Sequence, residues 1–154
     1  MIVCDTREQS PLLFTHFQCV RGTLQTGDYS ICGLEDLFSI ERKSIEDIVS
    51  CCCGENRSRF ERELHRLRGY RFKRLMIIGS RGEIEMMRYH SKISPASVLG
   101  SLAAWEMRFD CPVIYAPTPE EAATQIERFV HYFAAEHIKI VNGLLRETKA
   151  STPL

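Results

Sequence analysis

The chain has 154 residues, 44% hydrophobic and 26% charged, the balance of an ordinary soluble globular domain with a sizeable core. Its 20 basic and 20 acidic residues cancel, which argues against bulk nonspecific nucleic-acid binding but not against a local basic patch. No run of roughly 18 apolar residues is present, so no membrane span and no membrane partner are expected.

In chain order, residues 1–5 read as a strand ending in the charged run Asp5-Thr6-Arg7-Glu8. Asp5 as a turn cap with Arg7 and Glu8 as a solvent-facing pair is the simplest reading of that run. The start lacks the charged and apolar regions of a secretory signal, so an intracellular location is expected. Ser10-Pro11 has the form of a helix start and predicts a short helix over residues 12–17. A second strand is predicted over 20–24. Residues 29–32 and 37–41 are short, apolar and aromatic, and Gly33-Leu34-Glu35-Asp36 between them suits a turn, so the segment reads as a β-hairpin. Side chains alternate along a strand, which puts Glu41 and Lys43 on one side and Arg42 on the other. Hairpin pairing brings Asp28 near Glu41.

Ser44 is a natural N-cap, with Asp47 three residues on, for a helix to about Cys52. Asp47 has two readings: a cap, or a site-organising carboxylate that holds Arg42 or Lys43. Gly54-Glu55-Asn56 predicts a break before a helix over 57–67. Phe60, Leu64 and Leu67 form its apolar face. Arg59, Arg62 and Arg66 form a neighbouring basic stripe, within eight Arg or Lys residues between positions 57 and 74. The stripe is either a solvated face or a phosphate-binding surface. The apolar run 75–79 predicts a buried strand, 83–89 a short helix, 96–109 a helix with Val98, Leu102 and Trp105 inward, and 112–116 another strand. Thr118-Pro119-Glu120-Glu121 starts a helix that continues to about Arg146, with an apolar stripe wider than one core-facing side and His137 at its boundary. This alternation predicts an α/β sandwich around a mixed sheet. One domain is expected over residues 1–148, with a disordered tail at 149–154.

Two carboxylates beside one ammonium admit a bland account, an exposed hairpin with a salt bridge worth about 0–1 kcal/mol. They also admit a chemical one. Carboxylate oxygens bind hard cations such as Mg²⁺, which polarise phosphoryl oxygens, and a neighbouring lysine orients water. The seven cysteines form no CxxC pair. Cys51-Cys52-Cys53 cannot ligate one ion from a regular helix, because successive residues point about 100° apart. Reduced, mostly buried thiols are expected.

Gly27-Asp28-Tyr29 followed by Glu41-Arg42-Lys43-Ser44-Ile45-Glu46-Asp47 resembles the GD…ERKxxxD signature of the XPF family of structure-specific endonucleases. Asp5-Thr6-Arg7-Glu8 resembles that family's DxRE segment, and Arg59-Phe60 with Leu64 and Leu67 its RF…L..L helix. The resemblance implies a restriction-endonuclease-like three-layer sandwich, a central mixed sheet flanked by helices. It implies a Mg²⁺- or Mn²⁺-dependent DNA endonuclease acting on flaps, forks or nicked junctions. Asp28 and Glu41 would be the principal metal ligands, with Asp5 and Glu8 assisting. Lys43 would position water, and Arg7, Arg42 and Arg59 would handle phosphates or hold the site. Pairing through the C-terminal helices, as a homodimer or heterodimer, is likewise implied. Family members usually carry a helix-hairpin-helix module after this domain, and some a helicase domain before it. After Leu145 there is no room for either, which puts junction selectivity in question. The rival readings are a non-catalytic DNA-binding scaffold subunit and a sequence-specific nuclease of the same fold. The expected compartment is nuclear in a eukaryote, cytoplasmic or nucleoid in a prokaryote or phage.

Overall fold

The computed structural model describes residues 1–150, with side chains described as far as residue 146. Its centre is a six-stranded mixed sheet in the order β2-β1-β3-β4-β5-β6. The strands are β1 (Ile2–Asp5), β2 (Cys19–Gly22), β3 (Tyr29–Ile31), β4 (Phe38–Ser44), β5 (Phe72–Ile78) and β6 (Val113–Ala116). β1 pairs with β2, and β4, β5 and β6 with one another, all in parallel; β3 runs antiparallel to both its neighbours. The C-terminal ends of β1 and β4 and the start of β3 therefore meet at one edge of the sheet, and Asp5, Asp28 and Glu41 to Lys43 stand there.

Period-2 alternation sends successive side chains of β5 to opposite faces. Leu75 and Ile77 join one apolar cluster and Met76 the other. The first face is covered by α1 (Ile45–Ser50), α2 (Gly54–Leu67), α3 (Arg81–Glu85) and α4 (Pro95–Phe109), whose Phe60, Leu64, Val98 and Trp105 are buried together. The second face is covered by α5 (Pro119–Ala150) through Ala122, Ala123, Ile126 and Val130. Phe72 stacks on Phe38 at 4.7 Å and meets Phe129 and Phe133 of α5 at 5.2 and 5.9 Å, which fixes the middle of that helix. The result is the expected helix–sheet–helix sandwich.

Several elements differ from the sequence expectation. No helix follows Ser10-Pro11; residues 11–18 are irregular. Their amides find other acceptors: Leu12 N–H donates to the Tyr29 hydroxyl at 2.9 Å, and the N–H groups of Thr15, His16 and Phe17 converge on Glu127 Oε1 at 2.8, 2.6 and 3.2 Å. With those donors satisfied, a one-turn helix has nothing to add. β2 stops at Gly22 instead of Leu24 because Leu24 N–H turns to the Asp5 carboxylate. α2 begins at Gly54 and not at Arg57; Gly54 takes a φ of 59° at the entry. α3 starts two residues early because Ser80 and Glu83 form a reciprocal capping box. α5 runs on to Ala150, past the expected end near Arg146 and into the first positions of the expected tail; positions 151–154 lie outside the described residues.

The hairpin register is set by Gly27. Its φ is 81°, in the left-handed region, and a Cβ there would collide with Ser39 Oγ and lie 3.1 Å from the Ile40 carbonyl oxygen. Gly27→Ala is expected to destabilise the fold by about 1–3 kcal/mol, read as a lower urea midpoint at unchanged m-value. An unaltered midpoint would show that the register does not depend on this glycine.

Candidate active site

Asp28 is placed by its own backbone. Its N–H donates to the Ile40 carbonyl at 2.8 Å, and its carbonyl accepts from Asp5 N–H at 2.8 Å, so it bridges β1 and β4. Its Oδ2 accepts from the Arg42 backbone N–H at 2.7 Å. Glu41 follows Ile40, which pairs with Tyr29. Ser39, Glu41 and Lys43 alternate with the core residues Phe38 and Ile40, so Glu41 and Lys43 share the face covered by α2, as alternation predicts. Lys43 Nζ lies 2.8 Å from Glu41 Oε1, 3.9 Å from Glu63 Oε2 and 5.3 Å from the centre of the Phe60 ring.

Two connected cavities open here. The inner one, about 170 Å³, is lined by Asp28, Glu41 and Lys43 together with Thr26, Glu63 and Arg66. The outer one, about 520 Å³, includes Arg7, Glu8, Arg42, Asp47 and Arg59 in its wall. Arg7, Asp28, Lys43 and Glu63 line both.

Burial sets the electrostatics. Glu41 is 5% exposed. Loss of solvent, and then the Asp28 charge, push its carboxyl up to about 7 against the pull of Lys43. Burial also raises Asp28, to about 6, against the Arg42 amide and the Lys43 charge. Burial alone would lower Lys43, but Glu41 and Glu63 more than offset it and hold the ammonium above its usual range.

The other expected carboxylates are occupied. Burial pushes Asp5 up, but its partners hold it below the usual range. Arg7 Nε and Nη2 reach its two oxygens at 2.6 and 3.2 Å, and Leu24 N–H donates to Oδ2 at 2.7 Å. Glu8 takes the Arg42 guanidinium in a fork, Nε at 3.0 Å and Nη2 at 2.8 Å, and also the Ser10 N–H at 2.8 Å. In this geometry both carboxylates hold arginines, and bidentate charged pairs are the strong ones, while Asp5 also lines the inner cavity. Asp5 does cap the turn, its Oδ1 accepting the Arg7 backbone N–H at 2.9 Å, but Arg7 and Glu8 do not pair with each other: Arg7 pairs with Asp5 and Glu8 with Arg42. Asp47 takes the capping reading. Ser44 Oγ accepts its N–H at 3.1 Å and donates to its Oδ2 at 2.6 Å, while Arg42 and Lys43 pair elsewhere. Arg59 and Arg66 line the cavities, but Arg62 faces the other flank of α2, so the expected stripe divides.

Sequence reading passed over two residues. Glu63 stands four positions after Arg59 and three before Arg66, on the same helical face, and that spacing was the available signal. Thr26 is 4% exposed, and its Oγ1 is buried without a partner at the inner cavity. No sequence pattern marks it. Cys51 lines the outer cavity with its thiol pushed up to about 11 by burial, Cys52 is in the core, and Cys53 is exposed. The three sulfurs face three environments.

The donor set suits Mg²⁺ or Mn²⁺. Asp28 and Glu41 offer hard oxygens, their mutual repulsion would be relieved by a cation, and the unpartnered Thr26 hydroxyl could accept or donate to a hydrating water. Mg²⁺ keeps several waters and takes one or two carboxylates, and these residues fit that pattern. Among the described residues no group of three or more His, Cys, Asp or Glu side chains is placed to hold a metal ion.

The raised carboxyls have a thermodynamic consequence. Between about pH 4.5 and 7 the folded chain binds more protons at Asp28 and Glu41 than the unfolded chain does, so their contribution to stability falls as pH rises. The lowered carboxyls, Asp5, Glu61, Asp110, Glu120 and Glu127, act in the opposite sense but below that window. With chelator present, Glu41→Gln is expected to raise the thermal midpoint at pH 8 by about 2–4 °C, the shift for about 1 kcal/mol, and to flatten the fall between pH 5 and pH 8. A lower midpoint at pH 8 would show that the Glu41–Lys43 pair outweighs the repulsion.

Comparisons with known proteins agree with this frame. The chain is similar in structure to "XPF from Aeropyrum pernix", with a TM-score of 0.67 and 17% identity, covering 99% of this chain and 74% of that one. It is also similar to "XPF from Aeropyrum pernix, complex with DNA", with a TM-score of 0.68 and 20% identity, covering 88% and 65%. The fold is therefore that of the XPF nuclease domain. No curated protein sequence matches the chain. The family model for the ERCC4 domain matches residues 4–129, which span both strands of the hairpin, α2 and the start of α5, and the chain belongs to the ERCC4-domain family.

Proposed function

We propose that this protein is a Mg²⁺- or Mn²⁺-dependent endonuclease that hydrolyses DNA phosphodiester bonds at branched structures such as 3′ flaps, forks and nicked junctions, in repair or recombination. The observation that carries the reading is the convergence of Asp28, Glu41 and Lys43 on the inner cavity, which α2 walls with Glu63 and Arg66, while Arg59 lines the adjoining outer one. Family membership, and a structural relative in complex with DNA, support the substrate class. Asp28 and Glu41 would hold the ion, which when bound supplies Lewis acidity toward a phosphoryl oxygen. Lys43, anchored by Glu41, is placed to orient the attacking water and to offset charge developing on the phosphate. Glu8 keeps Arg42 fixed for the phosphate, and Asp5 does the same for Arg7, so neither guanidinium must be ordered on binding.

Glu41→Gln, Asp28→Asn and Lys43→Ala are each expected to lower single-turnover cleavage of a labelled flap in Mg²⁺ by several orders of magnitude, while binding in Ca²⁺ persists. The Asp28→Asn/Glu41→Gln double variant should be little worse than the poorer single one, because the residues act as a unit. Flap, fork, duplex and single-stranded oligonucleotides, with Mg²⁺ and with chelator, separate this reading from a scaffold or a sequence-specific enzyme. Folded Glu41→Gln cutting within about threefold of the parent, under about 1 kcal/mol, would remove these residues from the active site.

The same reading includes pairing of two copies, or of this chain with a homologous partner, through α5. Beyond Phe133 the helix carries Ile138, Ile140 and Val141 in solvent, at 60, 39 and 44% exposure. Apolar patches of this kind mark interfaces. Light scattering is expected to give twice 17.7 kDa for the chain alone, and Ile138→Glu/Val141→Glu should return it to a monomer. A concentration-independent monomer that no partner captures would end the pairing reading.

A further inference from the structure

We propose that the flank of α2 turned away from the catalytic cavity is a second phosphate-binding groove, which holds the backbone of one duplex arm of the DNA cut at Asp28 and Glu41. The proposal rests on the nuclease reading above and adds where the substrate runs.

The groove encloses about 540 Å³ between α2 and the C-terminal end of α4, and its charged lining is Arg62, His65, Arg66, Arg108 and Glu61. Arg62, His65 and Arg66 are exposed, and none of them makes an ion pair among the described residues. Glu61 is the one acid, and it is already engaged: Arg57 Nε lies at 3.0 Å, the Trp105 indole N–H donates at 2.9 Å, and Arg108 stands at 3.5 Å. Most of the guanidinium donors of Arg62, Arg66 and Arg108 therefore remain for a ligand. Planar forked donors suit phosphate oxygens. The floor, Phe109, is 6% exposed and offers no face on which a base could stack, so the groove reads backbone and not sequence.

Continuity decides which polyanion belongs there. Arg66 lines the groove and the inner catalytic cavity alike. α2 is thus a ridge, with Arg59 and Arg66 toward the scissile phosphate, Arg62 and Arg108 beyond the crest, and Arg66 at the corner. A strand held at Asp28 and Glu41 meets Arg59 and Arg66 as it leaves over α2, with Glu63 between them turned toward Lys43 at 3.9 Å. An acidic protein segment would find the same charges but has no reason to share that corner.

The test compares flaps whose duplex arm is roughly 20 or roughly 8 base pairs long, with binding measured in Ca²⁺ across a salt series. For the parent chain, shortening the arm should weaken binding about tenfold and reduce the slope of log affinity against log salt by about 2, one contact per arginine lost. For Arg62→Glu/Arg108→Glu the two arm lengths should bind within about twofold of each other, with Arg62→Gln/Arg108→Gln between. Thermal melts check that the variants fold. Equal weakening of long and short arms would mean that the reversed charges act only through the general field, and would overturn the groove. So would a variant that loses as much on shortening as the parent does, or a parent groove occupied by poly-glutamate that long-arm DNA does not displace. A parent chain that binds neither DNA would instead sink the nuclease reading itself.

Discussion

Two like charges packed beside one ammonium, at the point where β3 and β4 pair, are the constraint on which this structure depends. Asp28 and Glu41 are each pushed above the ordinary carboxylate range by burial, and Lys43 is held above its own by what surrounds it. Such a group is tolerated because the surrounding sheet leaves it no escape. Asp28 is fixed through both its backbone N–H and its carbonyl, and Gly27 before it takes a conformation that side chains avoid. The fold imposes the repulsion, and the chemistry proposed for the site is what would relieve it.

The acids around the site divide their work by partner. Asp5 holds the guanidinium of Arg7, Glu8 that of Arg42, and Glu41 the ammonium of Lys43. Asp28 has no side-chain ion pair: its carboxylate accepts the Arg42 backbone N–H and feels the charges of Lys43 and Arg42 at longer range. It lines both cavities, as Arg7, Lys43 and Glu63 do. A cation drawn to this region meets one carboxylate without an ion-pair partner and a second paired to Lys43.

Most of this architecture could be read before any coordinates. The apolar periodicity of residues 60–67 and 75–78, the cap at Ser44 and the Thr-Pro-Glu start of the last helix each specify an element locally, and each is present. The hairpin that joins Asp28 to Glu41 was legible because its turn and its alternation agree. What sequence could not give was the destination of each charged group. Asp5 and Glu8 look like ligands in a one-dimensional motif, and only the folded chain shows which arginines reach them. The short helix expected after Pro11 failed for a related reason: the acceptor that satisfies its amides is Glu127, 110 to 112 positions away in the chain. Arg62 was grouped with Arg59 and Arg66 because helical spacing permits it, but α4 packs against α2 and turns that position to another groove.

The Glu127 clamp also says where this protein can change its size. Three amides at residues 15–17 end on a carboxylate that is 4% exposed, so a residue inserted there would strand a buried charge. Upstream, the Ser10 N–H is held by Glu8 and the Leu12 N–H by Tyr29, Phe14 meets the Tyr29 ring at 5.5 Å, and Leu13 between Leu12 and Phe14 stands 87% exposed. Length is therefore cheaper at positions 9–11 than at the clamp. Homologues that differ in the rim of the outer cavity should accumulate their insertions in that stretch and keep the distance from the clamp to β2 constant. The same bonds tie the segment that leads into β2 to α5.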